Sequence, residues 1–266
     1  MTGTILDKIF SDKRVRVEAA KQASESVDLR ELALEYRSNR GPHRLRQTLS
    51  DGSGINIIAE FKKASPSKGV INDSVESADV ARQYEAGGAA AISVLTEEDH
   101  FKGSLDDLQA VREAVDLPIL RKDFFFDEFQ IYEAAVAGAD AILLIAAMLE
   151  DEQLEKFRSL AEDELGLDAL VEVHTLDELE RIKRIGSKLI GVNNRDLKSF
   201  HVTLDVSREL IQHAPKGTIM VTESGLRTLE ELLELSELGY VGFLIGETLM
   251  RTGDPAAELR RLRDVR

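Results

Sequence analysis

Ala141-Ile-Leu-Leu-Ile-Ala146 is apolar at every position, with a Gly-containing turn, Ala137-Gly-Ala139, before it. A strand with one face in water alternates apolar and polar residues. A short run that is apolar throughout reads instead as a strand covered on both faces, as in a parallel sheet packed with helices. Seven more runs of this kind occur, at 55–60, 89–95, 118–122, 169–173, 189–193, 218–223 and 241–245. Between and after them lie segments with helical periodicity: 75–86, 105–115, 128–137, 152–165, 175–185, 204–212, 229–238 and 255–262. Eight β-then-α units with short loops predict an α/β protein of the closed (β/α)8 kind, a TIM barrel. The alternative is an open doubly wound sheet, which commonly carries a Gly-rich turn after its first strand. Gly52-Ser53-Gly54 precedes that strand and lacks a third glycine, so it is not a dinucleotide motif.

Local signals agree with this register. Thr175-Leu-Asp-Glu178 fits a capping box, with Thr175 as N-cap and Glu178 reaching back. Ala86-Gly-Gly, Ala137-Gly-Ala, Arg184-Ile-Gly186 and Glu237-Leu-Gly239 close helices with glycine. Residues 1–50 stand outside the repeat. Ile5, Leu6 and Ile9, then Leu29, Leu32, Leu34 and Tyr36, suggest two or three amphipathic helices, broken at Gly41-Pro42. They are expected to form an N-terminal extension capping one barrel opening and closing the pocket beneath it. Residues 51–266 form the catalytic barrel.

The 266 residues carry 34 basic and 49 acidic side chains, a net charge of −15, and no cysteine. Disulfides, thiolate nucleophiles and Cys-bound metals are thereby excluded. So acidic a chain repels nucleic acid and anionic lipid. No apolar run approaches the ~18–20 residues that span a bilayer, and Met1 to Arg16 has no signal-peptide core. The expected location is the cytoplasm, and the expected assembly a monomer or weak homodimer. The five histidines are scattered without metal-ligand spacing, and His174, beside a helix cap, reads as structural.

In a closed barrel the site lies at the carboxyl ends of the strands. Those ends carry Glu60 and Lys62, Lys122, Glu172, Asn193 with Arg195, and Glu223. Residues two apart share a face, so Glu60 and Lys62 lie on one side, assigned to the mouth. Burying a carboxylate requires a partner. Glu60, Glu172 and Glu223 are expected to face Lys62, Lys122 and Arg195. A ring of barrel-plugging ion pairs is the structural alternative; six charged groups at the same end of their strands favour a site. Ser224-Gly225 and Gly246-Glu247 follow strands seven and eight, where barrels often hold phosphate. Ser65 and Ser67, with Lys62, are placed to add to that cradle.

Glu60-x-Lys62-x-x-Ser65-Pro66-Ser67, Ser93-Val-Leu-Thr-Glu97, Lys122-Asp123-Phe124, Glu172-Val-His174, Gly191-Val-Asn193-Asn194-Arg195-Asp196-Leu197 and Glu223-Ser224-Gly225 together resemble the indole-3-glycerol phosphate synthases. The match runs in order from about residue 50 to the end. The resemblance implies ring closure, decarboxylation and dehydration of 1-(2-carboxyphenylamino)-1-deoxyribulose 5-phosphate, a phosphorylated small molecule, with no metal or organic cofactor. It assigns Lys122 as general acid and Lys62 to the substrate carboxylate and later dehydration. Glu60 and Glu172 take acid–base work or stabilise cationic intermediates, and it does not apportion the steps between them. Asn193 and Arg195 orient hydroxyls and lysines, and Glu223 sits among the same charges. Phe101, Phe124 and Leu197 line the slot for the aromatic ring. Ser65, Ser224, Gly225, Gly246 and Glu247 hold phosphate. Glu247 departs from the serine or threonine also common there, so its backbone N–H is expected to bind while its side chain points outward. Opposite neighbours are expected to keep the charged groups ionised, and close lysines to depress each other's pKa. Rival readings are a Schiff-base aldolase acting through Lys122, a sugar-phosphate isomerase, and a non-enzymatic phosphate-ligand sensor.

Overall fold

A computed structural model describes residues 5–52 and 54–264. Residues 1–4 of the expected extension, Ser53 of the rejected glycine motif and the last two residues lie outside the described residues. Eight parallel strands close into a barrel. They are β1 Asn56–Phe61, β2 Ala91–Leu95, β3 Ile119–Lys122, β4 Ala141–Ile145, β5 Asp168–Val173, β6 Leu189–Asn193, β7 Ile219–Glu223 and β8 Gly242–Ile245. Each pairs with the next, and β8 returns to β1 through Asn56↔Gly242 to Ala59↔Ile245. Nearly every strand residue is buried, because helices cover the outside and side chains fill the inside.

Three helices precede the barrel: α1 Ile5–Ala23, α2 Leu29–Ser38 and α3 Arg44–Asp51. The outer ring is α4 Ser77–Ala86, α5 Leu105–Ala114, α6 Glu128–Val136, α7 Asp151–Ser159, α8 Leu176–Arg184, α9 Asp205–Leu210, α10 Leu229–Leu238, the five-residue α11 Glu247–Arg251, and α12 Pro255–Arg263. Thr175 caps α8 by accepting the Glu178 N–H (3.2 Å), but Glu178 reaches back past it to the His174 N–H (2.6 Å).

The registers place the inner side chains in layers. Paired residues share a face, and in a closed eight-stranded barrel the stagger advances by one residue per strand, so each layer draws on alternate strands. The lowest layer is Ala91, Ala141, Leu189 and Gly242; above it lie Ile58, Leu120, Leu170 and Val221, then Ser93, Leu143, Gly191 and Leu244. The fourth layer is wholly ionic: Glu60, Lys122, Glu172 and Glu223, one from each odd strand. Leu95, Ile145, Asn193 and Gly246 stand above it.

Ala91, Ala141 and Gly242 are small and leave room below the lowest layer. Leu45 and Leu49 of α3, both buried, fill it. The extension therefore serves both ends of the barrel and not one opening only. While α3 plugs the floor, α1 crosses the opposite mouth.

Candidate active site

Above the ionic layer lies a cavity of about 430 Å³. All fifteen residues expected at the site line it: Glu60, Lys62, Ser65, Phe101, Lys122, Phe124, Glu172, Asn193, Arg195, Leu197, Glu223, Ser224, Gly225, Gly246 and Glu247. Lys122 Nζ donates to Glu172 Oε2 (3.2 Å) and to Glu223 Oε2 (2.9 Å), while Lys62 is paired with Glu60. Room for two of the carboxylates comes from glycine. A Cβ on Gly191 would lie 2.2 Å from Glu223 Oε1, and one on Gly246 would lie 2.3 Å from Glu60 Oε1. Both distances are far inside van der Waals contact, so any side chain there would displace an acid from the ring.

The walls follow from the loops. Phe101 and Phe124 face each other with centroids 6.2 Å apart, and Leu197 completes that side. Arg195 reaches across the opening to donate to Ser67 Oγ (3.1 Å), joining the loops after β6 and β1. Ser224 and Gly225 both have positive φ, 68° and 84°. A Cβ on Gly225 would come within 2.6 Å of Val202, so this turn needs glycine for space as well as conformation. Glu247 Oε1 accepts from Arg251 Nε (3.1 Å) and lies 3.8 Å from Lys68 Nζ, so its charge is turned along its own helix and neutralised.

The family model for indole-3-glycerol phosphate synthase matches residues 6–262. The chain belongs to that family. A synthase relative from Carboxydothermus hydrogenoformans is 48% identical over 261 residues, covering 97% of this chain and 98% of its own. One from Desulfotalea psychrophila is 47% identical over 260 residues, with the same coverage. Among solved structures, 3-hexulose-6-phosphate synthase from Salmonella typhimurium has a TM-score of 0.64 at 13% identity, covering 79% of this chain and 98% of that one; it shares the fold. The synthase family is one of carboxy-lyases of tryptophan biosynthesis acting on a phosphorylated small molecule.

Electrostatically, the synthase ring departs from the sequence expectation. Burial works against the Lys122 ammonium, but Glu223, Glu172 and Glu60 outweigh it and raise its pKa. Lys122 is thus not depressed by its lysine neighbour, because the acids are closer partners. Nor are all the acids kept ionised. Burial pushes Glu223 up to about 7, with Lys122 pulling against it and Glu172 adding to it. Burial also opposes the Glu172 charge, but Lys122 and His174 overcome it and hold that carboxyl below the usual range. Two carboxylates sharing one ammonium thus separate into an ionised member, Glu172, and a member that takes the proton, Glu223.

Ile5, Leu6 and Ile9 of α1, read from sequence as an apolar face of the extension, form part of the cavity wall. Other neighbours escaped the sequence reading. Glu97 accepts the N–H groups of Asp99 (3.2 Å), His100 (2.8 Å) and Phe101 (3.0 Å), which fixes the loop carrying Phe101. Lys68, Arg227 and Arg251 also reach the mouth. With Lys62, Lys122 and Arg195 they make six cations against five acids in the cavity lining, a local excess on a chain of net charge −15. Among the described residues no cluster of three or more His, Asp or Glu could hold a metal ion, and no helix is long and apolar enough to cross a membrane.

Proposed function

We propose that the ring at the cavity floor performs the synthase reaction on 1-(2-carboxyphenylamino)-1-deoxyribulose 5-phosphate with Lys122 as general acid. The observation that carries this is the Lys122 ammonium held between Glu172 and Glu223 at the base of a slot walled by Phe101, Phe124 and Leu197. The aromatic carbon bearing the carboxylate attacks the sugar ketone, and Lys122 gives its proton to the ketone oxygen. A developing alkoxide is a far stronger base than a carboxylate, so an ammonium stabilised by carboxylates can still transfer its proton there. Carbon dioxide then leaves with the return of the ring's aromatic electrons. Electron flow from nitrogen expels the new hydroxyl, which takes a proton from Lys62 and leaves as water, and a base removes the remaining proton on carbon.

Lys62 suits the substrate carboxylate, and its pairing with Glu60 readies both for the dehydration. Glu172, the ionised acid, suits stabilisation of the cationic intermediate or removal of the last proton. Asn193 and Arg195 orient the sugar hydroxyls. The phosphate falls to Ser65, Ser224, Gly225, Gly246 and the Glu247 N–H, in a part of the mouth rich in cations. Lys122 held as an ammonium speaks against the aldolase alternative, since Schiff-base attack needs the free amine.

Lys122→Met tests the assignment. Formation of indole-3-glycerol phosphate, followed by fluorescence, is expected to fall at least ~10²-fold in kcat, in line with the loss of a general acid, in protein shown by circular dichroism to be folded at the assay temperature. A variant as active as the parent would refute the role.

A further inference from the structure

Glu60 has a cation two residues on, Lys62, and Glu172 has His174 in the same relation. Strand alternation puts each pair on one side. The His174 side chain is only 10% exposed and lies between two acids: Nε2 is 3.4 Å from Glu172 Oε1, and Nδ1 is 3.5 Å from Glu178 Oε2. Both ring nitrogens are buried and neither makes a hydrogen bond, so these two carboxylates, at ion-pair distance, are the acids each one faces. Glu178 is itself anchored, accepting the His174 backbone N–H at 2.6 Å. The opposite oxygen of Glu172, Oε2, is the one that takes Lys122. His174 does not line the cavity.

We infer that His174 is a positioning residue: as an imidazolium it bridges Glu178 to Glu172 and holds the Glu172 carboxylate turned so that its other oxygen stays on Lys122. This rests on the synthase reading of Glu172. Only the doubly protonated ring has an N–H for each carboxylate; the neutral ring must release one of them. The groups facing it are Glu172 from β5, Glu178 from α8, Glu223 from β7 and Asp196 from the loop after β6, with Lys122 of β3 beyond Glu172. Burial disfavours the cation, but the surrounding acids outweigh it and raise the pKa above 6.5. The bridge is therefore intact at lower pH and is lost as pH rises through that raised value.

The test is a kinetic pair with a spectroscopic arm. His174→Leu is expected to lower kcat about tenfold and leave KM within about twofold, as for loss of a hydrogen bond to a charged group that acts in the transition state. His174→Gln keeps an N–H toward Glu172, so it should recover most of kcat but lose the alkaline bend of the pH profile. A leucine variant with parental kcat and pH profile overturns the inference, and so does a glutamine variant as slow as leucine. In the full-length protein, NMR titration of the His174 ring should show its pKa falling in Glu172→Gln; an unmoved pKa overturns the bridge even if the leucine variant does not fold. Should the parent make no indole-3-glycerol phosphate, the synthase reading falls, while the titration still decides the pairing.

Discussion

Glu223 is the residue whose titration reaches furthest into stability. Its folded pKa of about 7 exceeds that of an exposed glutamic acid, about 4.3. Between those values the folded chain holds a proton that the unfolded chain has released, so this group's contribution to stability falls as pH rises from about 4 to 7. Urea melts between pH 5 and 7 should show the parent losing on the order of 2 kcal/mol relative to Glu223→Gln. Parallel curves for the two proteins would contradict the raised pKa. At this scale the sequence was informative because charge at the end of an apolar run is costly and therefore conspicuous; Glu60, Lys122, Glu172 and Glu223 all stand out that way. Lys68, Arg227 and Arg251 did not, since a charged residue in a loop looks the same whether it faces water or a pocket. The proton sharing between Glu172 and Glu223 was also hidden, because it depends on Glu223 Oε1 lying over Gly191 and on His174 standing beside only one of the two acids.

The element with most influence on access to the site is α1. It is fastened to the loops after β2 and β3 by Lys13 to Asp123 (2.8 Å) and Glu98 (3.1 Å), Arg16 to Asp99 (2.7 Å), and Asp12 to His100 (3.0 Å). Lys13 and Asp123 are buried, and Asp123 also accepts from Thr96 (2.6 Å) and Arg121 (3.1 Å). Lys13→Met removes one partner of a buried pair and should destabilise the protein by about 3 kcal/mol. It should also raise KM as Ile5, Leu6 and Ile9 withdraw from the cavity wall; calorimetry with steady-state kinetics measures both. The eight strands were legible because each is apolar on both faces and bounded by turns. Other elements were not. The helix read over 152–165 ends its regular part at Ser159 and continues as a π-turn, Leu160–Glu164, which hydrophobic period cannot separate from α-helix. The five-residue α11 and the short ribbon pairing Ala64–Ser65 with Gly69–Val70 are too brief to show a period at all.

Over the whole molecule the two ends of the barrel divide the labour. Chemistry gathers at the mouth, while the floor holds Asp140, fully buried, within ion-pair reach of Arg37, Arg40, Arg44 and Arg112. Asp140→Asn would leave four guanidiniums facing one another and should destabilise the fold by about 3–5 kcal/mol. Because the ring lies several layers away, kcat measured well below the melting temperature should not change. A large loss of kcat in a fully folded variant would show the ends to be coupled. The plug at this floor has a further consequence for biosynthesis. Leu49 seats beneath Gly242, and β1 closes on β8, so the nascent chain makes the stopper and first stave long before the last stave emerges. Until then Leu45 and Leu49 have no finished socket and stay exposed to unintended partners. Closure across nearly the full sequence is the slow kind of event in folding. The period of greatest aggregation risk for this protein therefore falls late in synthesis and just after release, before the last strand has closed the barrel.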